Sequence, residues 1–234
     1  MSQTPVTTER AGDVTIVRLD DGKANALGHA AIAQLDAALE SAAKESGAAV
    51  IVGRPGRFSA GFDLSVMQAG NRAVVTLVGA GARLFVRAYT LEIPVVAACT
   101  GHALAAGAIM LMASDVRIGA EGEYKIGLPE VTLGMVLPQF AVDLAQDRLS
   151  RRHLTAATMH GKVYSPNEAT DVGFLDRTVP EDRVEAEAIA AASELAEAVN
   201  ARAFRATRRN VRAPVAARIM AELEDDLLGF FVEQ

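Results

Sequence analysis

Pro94-Val95-Val96-Ala97-Ala98-Cys99-Thr100-Gly101-His102-Ala103-Leu104-Ala105-Ala106-Gly107-Ala108-Ile109-Met110-Leu111-Met112 is the apolar run on which the reading of the fold turns. Thr100, Gly101 and His102 interrupt it, so it reads as strand, turn and helix rather than as a membrane span. Pro94 opens a strand predicted over Val95 to Cys99, and Gly101 turns the chain into a helix near Ala105 to Ala113. Val116 to Ala120 is the next strand. On the N-terminal side, Asn71 to Thr90 reads as a helix, with Val74, Leu77, Ala80 or Gly81, Leu84 and Ala88 on one side. Further upstream, Val14 to Leu19 alternates like a strand and Asp20 to Asn25 is turn chemistry. Ile32, Leu35 and Leu39 recur at helical spacing, and Ala48 to Val52 is a short buried strand.

The second half is more helical. Ser165-Pro166 is a helix start, with serine as N-cap and proline at the first helical position. Phe174 to Val179 is a predicted strand closed by Pro180. Helix follows from Glu181 with a stripe of Val184, Ala188, Ala191 and Leu195, and a last helix carries Ile219, Leu223, Leu227 and Phe231. Strands alternating with helices, followed by a helical tail, predict one α/β domain with a C-terminal extension. The chain has 234 residues, enough to bury one substantial core.

Bulk properties narrow the function. Half of the residues are hydrophobic and the net charge is −6, which argues against a protein that coats nucleic acid or anionic lipid. Cys99 is the single cysteine, so no internal disulfide and no cysteine metal cluster is expected, and a reducing cytoplasm fits. The polar start, Met1 to Arg10, is no signal peptide, and no apolar stretch reads as long enough to span a membrane. His29, His153 and His160 lack metal-ligand spacing, so no metal is expected. His102 reads as a packed or capping side chain and Cys99 as a small core residue. Arg202, Arg205, Arg208, Arg209 and Arg212 read as a solvated helix face, or alternatively as a contact for a ligand phosphate.

Three segments carry candidate chemistry. Phe58-Ser59-Ala60-Gly61-Phe62-Asp63-Leu64 follows a strand, and its small residues allow close approach of backbone or ligand. It also reads as an ordinary strand-to-helix loop in which Asp63 is a cap. Thr100 to Ala108 ends at a helix N-terminus, whose free amides attract developing negative charge, although tight packing on a sheet needs the same small residues. Ile126-Gly127-Leu128-Pro129-Glu130-Val131-Thr132-Leu133-Gly134 sets Glu130 among apolar residues. That placement raises a carboxyl pKa toward the range of a general base, unless Glu130 is capped or ion-paired. No G-x-G-x-x-G, P-loop or G-x-S-x-G pattern occurs.

In this order and spacing the segments resemble the crotonase (enoyl-CoA hydratase/isomerase) family, from Val14 to about Pro180. The resemblance implies a crotonase (ClpP-like) spiral of ββα units over residues 1–180. It implies a C-terminal helical trimerisation region over residues 181–234. Asp21-Gly22-Lys23-Ala24-Asn25-Ala26-Leu27 resembles the family's first coenzyme A segment, so Lys23, Ala24, Asn25, Ala26 and Leu27 are expected at the substrate. Ala60, Gly61, Asp63, Leu64, Gly107 and Ile109 join them. By the same resemblance the amides of Phe62 and Ala106 form an oxyanion hole, where the family usually has a run of three glycines. Glu130 corresponds to the family's Pro-Glu carboxylate. Family hydratases have a second glutamate where this chain has Ile109, and a Pro-Gly-x-Gly-Gly-Thr loop where it has Met135-Val136-Leu137-Pro138-Gln139-Phe140. Both departures are similar to the isomerase pattern. The resemblance thus implies Δ3,Δ2-enoyl-CoA isomerisation in fatty acid metabolism, with a hydratase or a non-catalytic acyl-CoA binding protein as alternatives. A homotrimer or dimer of trimers is implied as well, with coenzyme A present only as part of the substrate.

Overall fold

The computed structural model describes residues 5–229. The chain begins with an antiparallel hairpin, β1 (Val6–Ala11) and β2 (Val14–Leu19), in which Val6 pairs with Leu19. A short β3 (Ala26–Leu27) precedes α1 (His29–Glu45) and β4 (Ala48–Val52). Two short strands, β5 (Gly56–Ser59) and β6 (Gly61–Phe62), lead into α2 (Leu64–Met67) and the long α3 (Asn71–Thr90). Then come β7 (Val95–Cys99), β8 (Gly101–Leu104), α4 (Ala106–Ala113) and β9 (Val116–Ala120). A short β10 (Ile126–Gly127) and a single 3-10 turn (Glu130–Leu133) precede α5 (Gln139–Arg148) and α6 (Leu154–Thr158). The chain closes with β11 (Val163–Tyr164), α7 (Pro166–Val172), β12 (Arg177–Val179), α8 (Val184–Ala198) and α9 (Ala201–Gly229).

The long strands form one sheet in the order β1-β2-β4-β7-β9-β12, parallel from β2 onward. The short strands β5, β8 and β10 run parallel in a second sheet, closed by antiparallel β11. The passes through β4, β7 and β9 each add a strand to the large sheet and then a strand (β5, β8 or β10) to the small sheet before the next helix, while β3 pairs with β6; this is the expected ββα spiral. The strands β4 and β7 are apolar throughout and buried, because both faces of the large sheet are covered. On one face lies the main core, built with α1, α3 and α4; on the other, Val184, Ala188 and Ala192 of α8 pack on β4, β7 and β9.

The predicted helix at Asn71–Thr90 and the strands at Val95–Cys99 and Val116–Ala120 fall where the periodicity places them. By length and composition α3 is apolar enough to cross a membrane, contrary to the expectation from the sequence. It is instead a core helix, with Leu77, Val78, Leu84 and Phe85 buried against α1, α4 and α9. Ser165 caps α7 in a full capping box with Glu168. The predicted strand from Phe174 is shorter than expected: Phe174 and Leu175 are buried, but pairing with β9 begins at Arg177. Asp176 ends the approach to β12 by accepting from the Arg117 backbone amide and side chain.

The apolar stripe of α9, Ala216, Ile219, Leu223 and Leu227, is buried within this chain on α3 and α5. Burial of each of the three large side chains contributes about 1.5–3 kcal/mol. The expected Phe231 lies outside the described residues. Pro214 is accommodated inside α9. The arginine row is not the solvated face expected of it throughout, since Arg208 and Arg212 are buried. Both pair with Asp115, and they also donate to the carbonyls of Ile93 (3.1 Å) and Tyr89 (2.7 Å) respectively. These contacts fasten α9 to the end of the large sheet.

Candidate active site

Asp21 organises the first loop. Its carboxylate accepts from the amides of Lys23 (2.7 Å), Asn25 (2.9 Å) and Ala26 (3.1 Å), which holds its pKa below the ordinary value despite partial desolvation. Asn25 takes a positive φ of 53°, which asparagine tolerates better than most residues. Its side-chain amide donates to the carbonyls of Leu19, Arg57 and Phe58. Asn25 and Leu27 thus form the inner side of this loop, Lys23 is exposed, and Ala24 and Ala26 face a cavity.

The second loop is clamped onto the first. The Ser59 hydroxyl donates to the Asn25 carbonyl (2.8 Å) and accepts from the Gly61 amide (3.2 Å). Ala60 N–H donates to Ala24 O (3.0 Å) and Asp63 N–H to Leu27 O (3.2 Å). Between them Gly61 adopts φ 103°, which only glycine takes without strain. Because Asp63 N–H faces β3, the preceding Phe62 N–H is turned to the opposite edge of the strand. Asp63 itself caps α2, accepting from Ser65 N–H (2.9 Å).

The third segment, β8 and α4, meets this loop directly. A methyl group on Gly61 would stand 2.9 Å from the Ala105 Cβ and 3.5 Å from the Ala106 nitrogen. Gly107 is needed for a similar reason, since a Cβ there would lie 2.4 Å from the Ser59 carbonyl oxygen. Ala106 is the first residue of α4, so its N–H has no acceptor within the helix. Ala105 is bound on both sides, donating to Gly127 O (3.0 Å) and accepting from Ile109 N–H (3.0 Å). Its φ of 51° and ψ of −122° belong to glycine rather than alanine. Such a backbone costs about 1–3 kcal/mol, and the cost was invisible in the sequence.

These segments and the Pro129 turn enclose a cavity of about 400 Å³. The expected residues on its wall are Ala24, Ala26, Ala60, Phe62, Asp63, Leu64, Ile109 and Glu130. Gly61, Ala106 and Gly107 stand behind the wall as its backbone support. Sequence reasoning missed Met67, Val78, Leu104, Leu133, Met135 and Pro138 as wall residues; apolar residues carry no local mark that separates a pocket from a core.

Glu130 starts the 3-10 turn after Pro129, and Gly134 closes that turn in the left-handed region. Its side chain is 7 % exposed, and Oε2 is buried with no hydrogen-bond partner among the described residues. Desolvation pushes its pKa up to about 7, opposed only by its own backbone amide. Ile109, 1 % exposed, lies on the same wall, so the cavity holds one buried carboxyl and no second one at that position. His102 is not on the wall. Its Nδ1 accepts from Lys125 N–H (3.0 Å) and its ring meets Tyr124 edge-on, as expected for a packed histidine. Cys99 is buried, and burial pushes its thiol up to about 12.

The enoyl-CoA hydratase/isomerase family model matches residues 9–230. The chain belongs to the crotonase superfamily. Human mitochondrial enoyl-CoA delta isomerase 1 is 28% identical over 232 residues, which cover 96% of this chain and 76% of that protein. A probable enoyl-CoA hydratase of Rhizobium meliloti is 32% identical, covering 84% and 77%. A solved Mycobacterium tuberculosis protein, described in one structure as an enoyl-CoA isomerase and in another as a probable enoyl-CoA hydratase, superposes in the first with a TM-score of 0.91 at 35% identity, covering 97% and 99%. This crotonase is therefore an enzyme of the hydratase/isomerase kind, and its relatives include both activities.

Proposed function

We propose that this crotonase isomerises 3-enoyl-CoA to 2-enoyl-CoA with Glu130 as the lone acid/base. The observation that carries the reading is the cavity with one buried, unpaired carboxyl and isoleucine at the position of a second. Hydration needs water to be both placed and activated. A single carboxyl whose pKa is about 7 suits a shuttle instead. Ionised Glu130 takes a proton from C2, the electrons move into the thioester carbonyl as a dienolate, and the protonated Glu130 returns the proton at C4. The amides of Phe62 and Ala106 are assigned to the dienolate oxygen. Support comes from the free first-turn amide of α4, from the Phe62 amide turned away from β3, and from the contact of Gly61 with both alanines. Losing one such donor costs roughly 3–4 kcal/mol in the barrier.

Apolar Met67, Val78, Leu104, Met135 and Pro138 suit an acyl chain in the same cavity, and fatty acid metabolism in the cytoplasm suits the reaction. No cofactor beyond the coenzyme A of the substrate is assigned. A homotrimer or dimer of trimers belongs to the same proposal. Because the α9 stripe is taken up within the chain, the exposed Val131, Val136 and Met159 are the better candidates for contact between copies. Offering the purified protein a 3-enoyl-CoA and a 2-enoyl-CoA, with Glu130→Gln as control, tests the reaction. Faster isomerisation, lost in the variant, is the expected result; faster hydration of the 2-enoyl-CoA overturns the assignment.

A further inference from the structure

We infer that Ala105 is a specificity-determining residue whose methyl group excludes acyl-CoA thioesters carrying a substituent at C2. The inference rests on the proposed placement of the thioester oxygen at the Phe62 and Ala106 amides. Three observations bring the methyl to that point. Ala105 is on the cavity wall together with Phe62, Ile109 and Glu130. It immediately precedes the free N–H of Ala106. Its Cβ faces Gly61 so closely that a second methyl there would stand 2.9 Å away.

The carbon next to a thioester carbonyl is two bonds from the oxygen, so a group flanking the oxygen's donor also flanks C2. A hydrogen at C2 fits beside a methyl group; a second methyl at C2 must displace it. Ala105 cannot yield by rotating its backbone, because its N–H is held by Gly127 and its carbonyl by Ile109. The other side is closed by β6. The glycine-like backbone of Ala105 also shows that glycine would fit this position without rearrangement. Alanine here adds a methyl to the wall at the expense of backbone strain, and the wall is where that methyl acts.

The test is calorimetric binding of octanoyl-CoA and of each C2 epimer of 2-methyloctanoyl-CoA to the wild type, Ala105→Gly and Met67→Ala. These saturated ligands report on fit without any turnover. The wild type is expected to bind octanoyl-CoA at least tenfold more tightly than either epimer. Ala105→Gly is expected to bring at least one epimer within about threefold of octanoyl-CoA, whereas Met67→Ala, which enlarges the cavity elsewhere, leaves the tenfold gap. A thermal melt confirms that each variant is folded. Equal wild-type affinities, an unchanged gap in folded Ala105→Gly, an equal gain in Met67→Ala, or no binding of any of the three ligands overturns the inference. Failure of the isomerase reading registers separately, as absent turnover of 3-enoyl-CoA by a protein that still discriminates in binding.

Discussion

Asp115 and Glu130 are both acids held largely inside the protein, and they differ in everything that decides an acid's role. Asp115 Oδ1 pairs with Arg212 at 2.8 Å, and its Oδ2 pairs with Arg208 and accepts from Val95 N–H at 2.7 Å. Both Asp115 oxygens have partners, and the result is a clasp between α9 and the sheet. Among the described residues Glu130 has no ion-pair partner, and its Oε2 has no hydrogen-bond partner. Asp115 is structural because both of its oxygens are committed to two guanidinium groups and a backbone amide. An unpaired carboxyl facing a cavity is held near the point of exchange, where protons can move.

The largest expected effect tests the unpaired member. Glu130→Gln should lower kcat for 3-enoyl-CoA isomerisation by about 100- to 10,000-fold, the usual contribution of a positioned acid/base, with the fold intact by circular dichroism. The converse change breaks the paired member. Asp115→Asn leaves two buried guanidinium groups without their anion and should destabilise by about 3–5 kcal/mol, read by urea denaturation.

A third prediction separates the two by pH. Glu130 has a folded pKa of about 7 against 4.5 for the free side chain, so the folded state binds more protons between those values. Stability is full below pH 4.5 for this group and falls as pH rises to about 7. The total loss is about 3 kcal/mol at 1.36 kcal/mol per unit. Glu130→Gln should remove this component, so the variant gains on the wild type across that window and keeps the gain above it. The smallest effect sharpens the contrast with surface pairing. Arg205 meets Glu92 at 3.5 Å with both side chains about half exposed, and Arg205→Ala should change unfolding free energy by less than about 0.5 kcal/mol.

Much of the spiral was legible because local pattern and burial agree. Val95–Cys99 is apolar at every position since both faces of its sheet are covered, and Ser165-Pro166-Asn167-Glu168 carries its cap within four residues. β1 was missed because Thr7 to Arg10 are exposed and polar; the strand exists through its ladder to β2 rather than through a buried face. Arg208 and Arg212 were misplaced because their anion lies about ninety residues away in sequence, and nothing local distinguishes a buried arginine from a solvated one. Glu130 and Phe62 were found through the order of three motifs. Ala105 lies in the family's glycine run, and its alanine there is legible in the sequence; its glycine-like backbone needed coordinates.

The most direct test of single-carboxylate catalysis follows the proton itself. A 3-enoyl-CoA deuterated at C2 is converted by the enzyme in ordinary water, and the product's C4 position is read by mass spectrometry and NMR. A buried Glu130 that lifts and returns the same proton predicts substantial deuterium at C4, lost with the activity in Glu130→Gln. A C4 hydrogen drawn entirely from solvent during efficient turnover contradicts direct return of the abstracted proton by a carboxyl shielded from water.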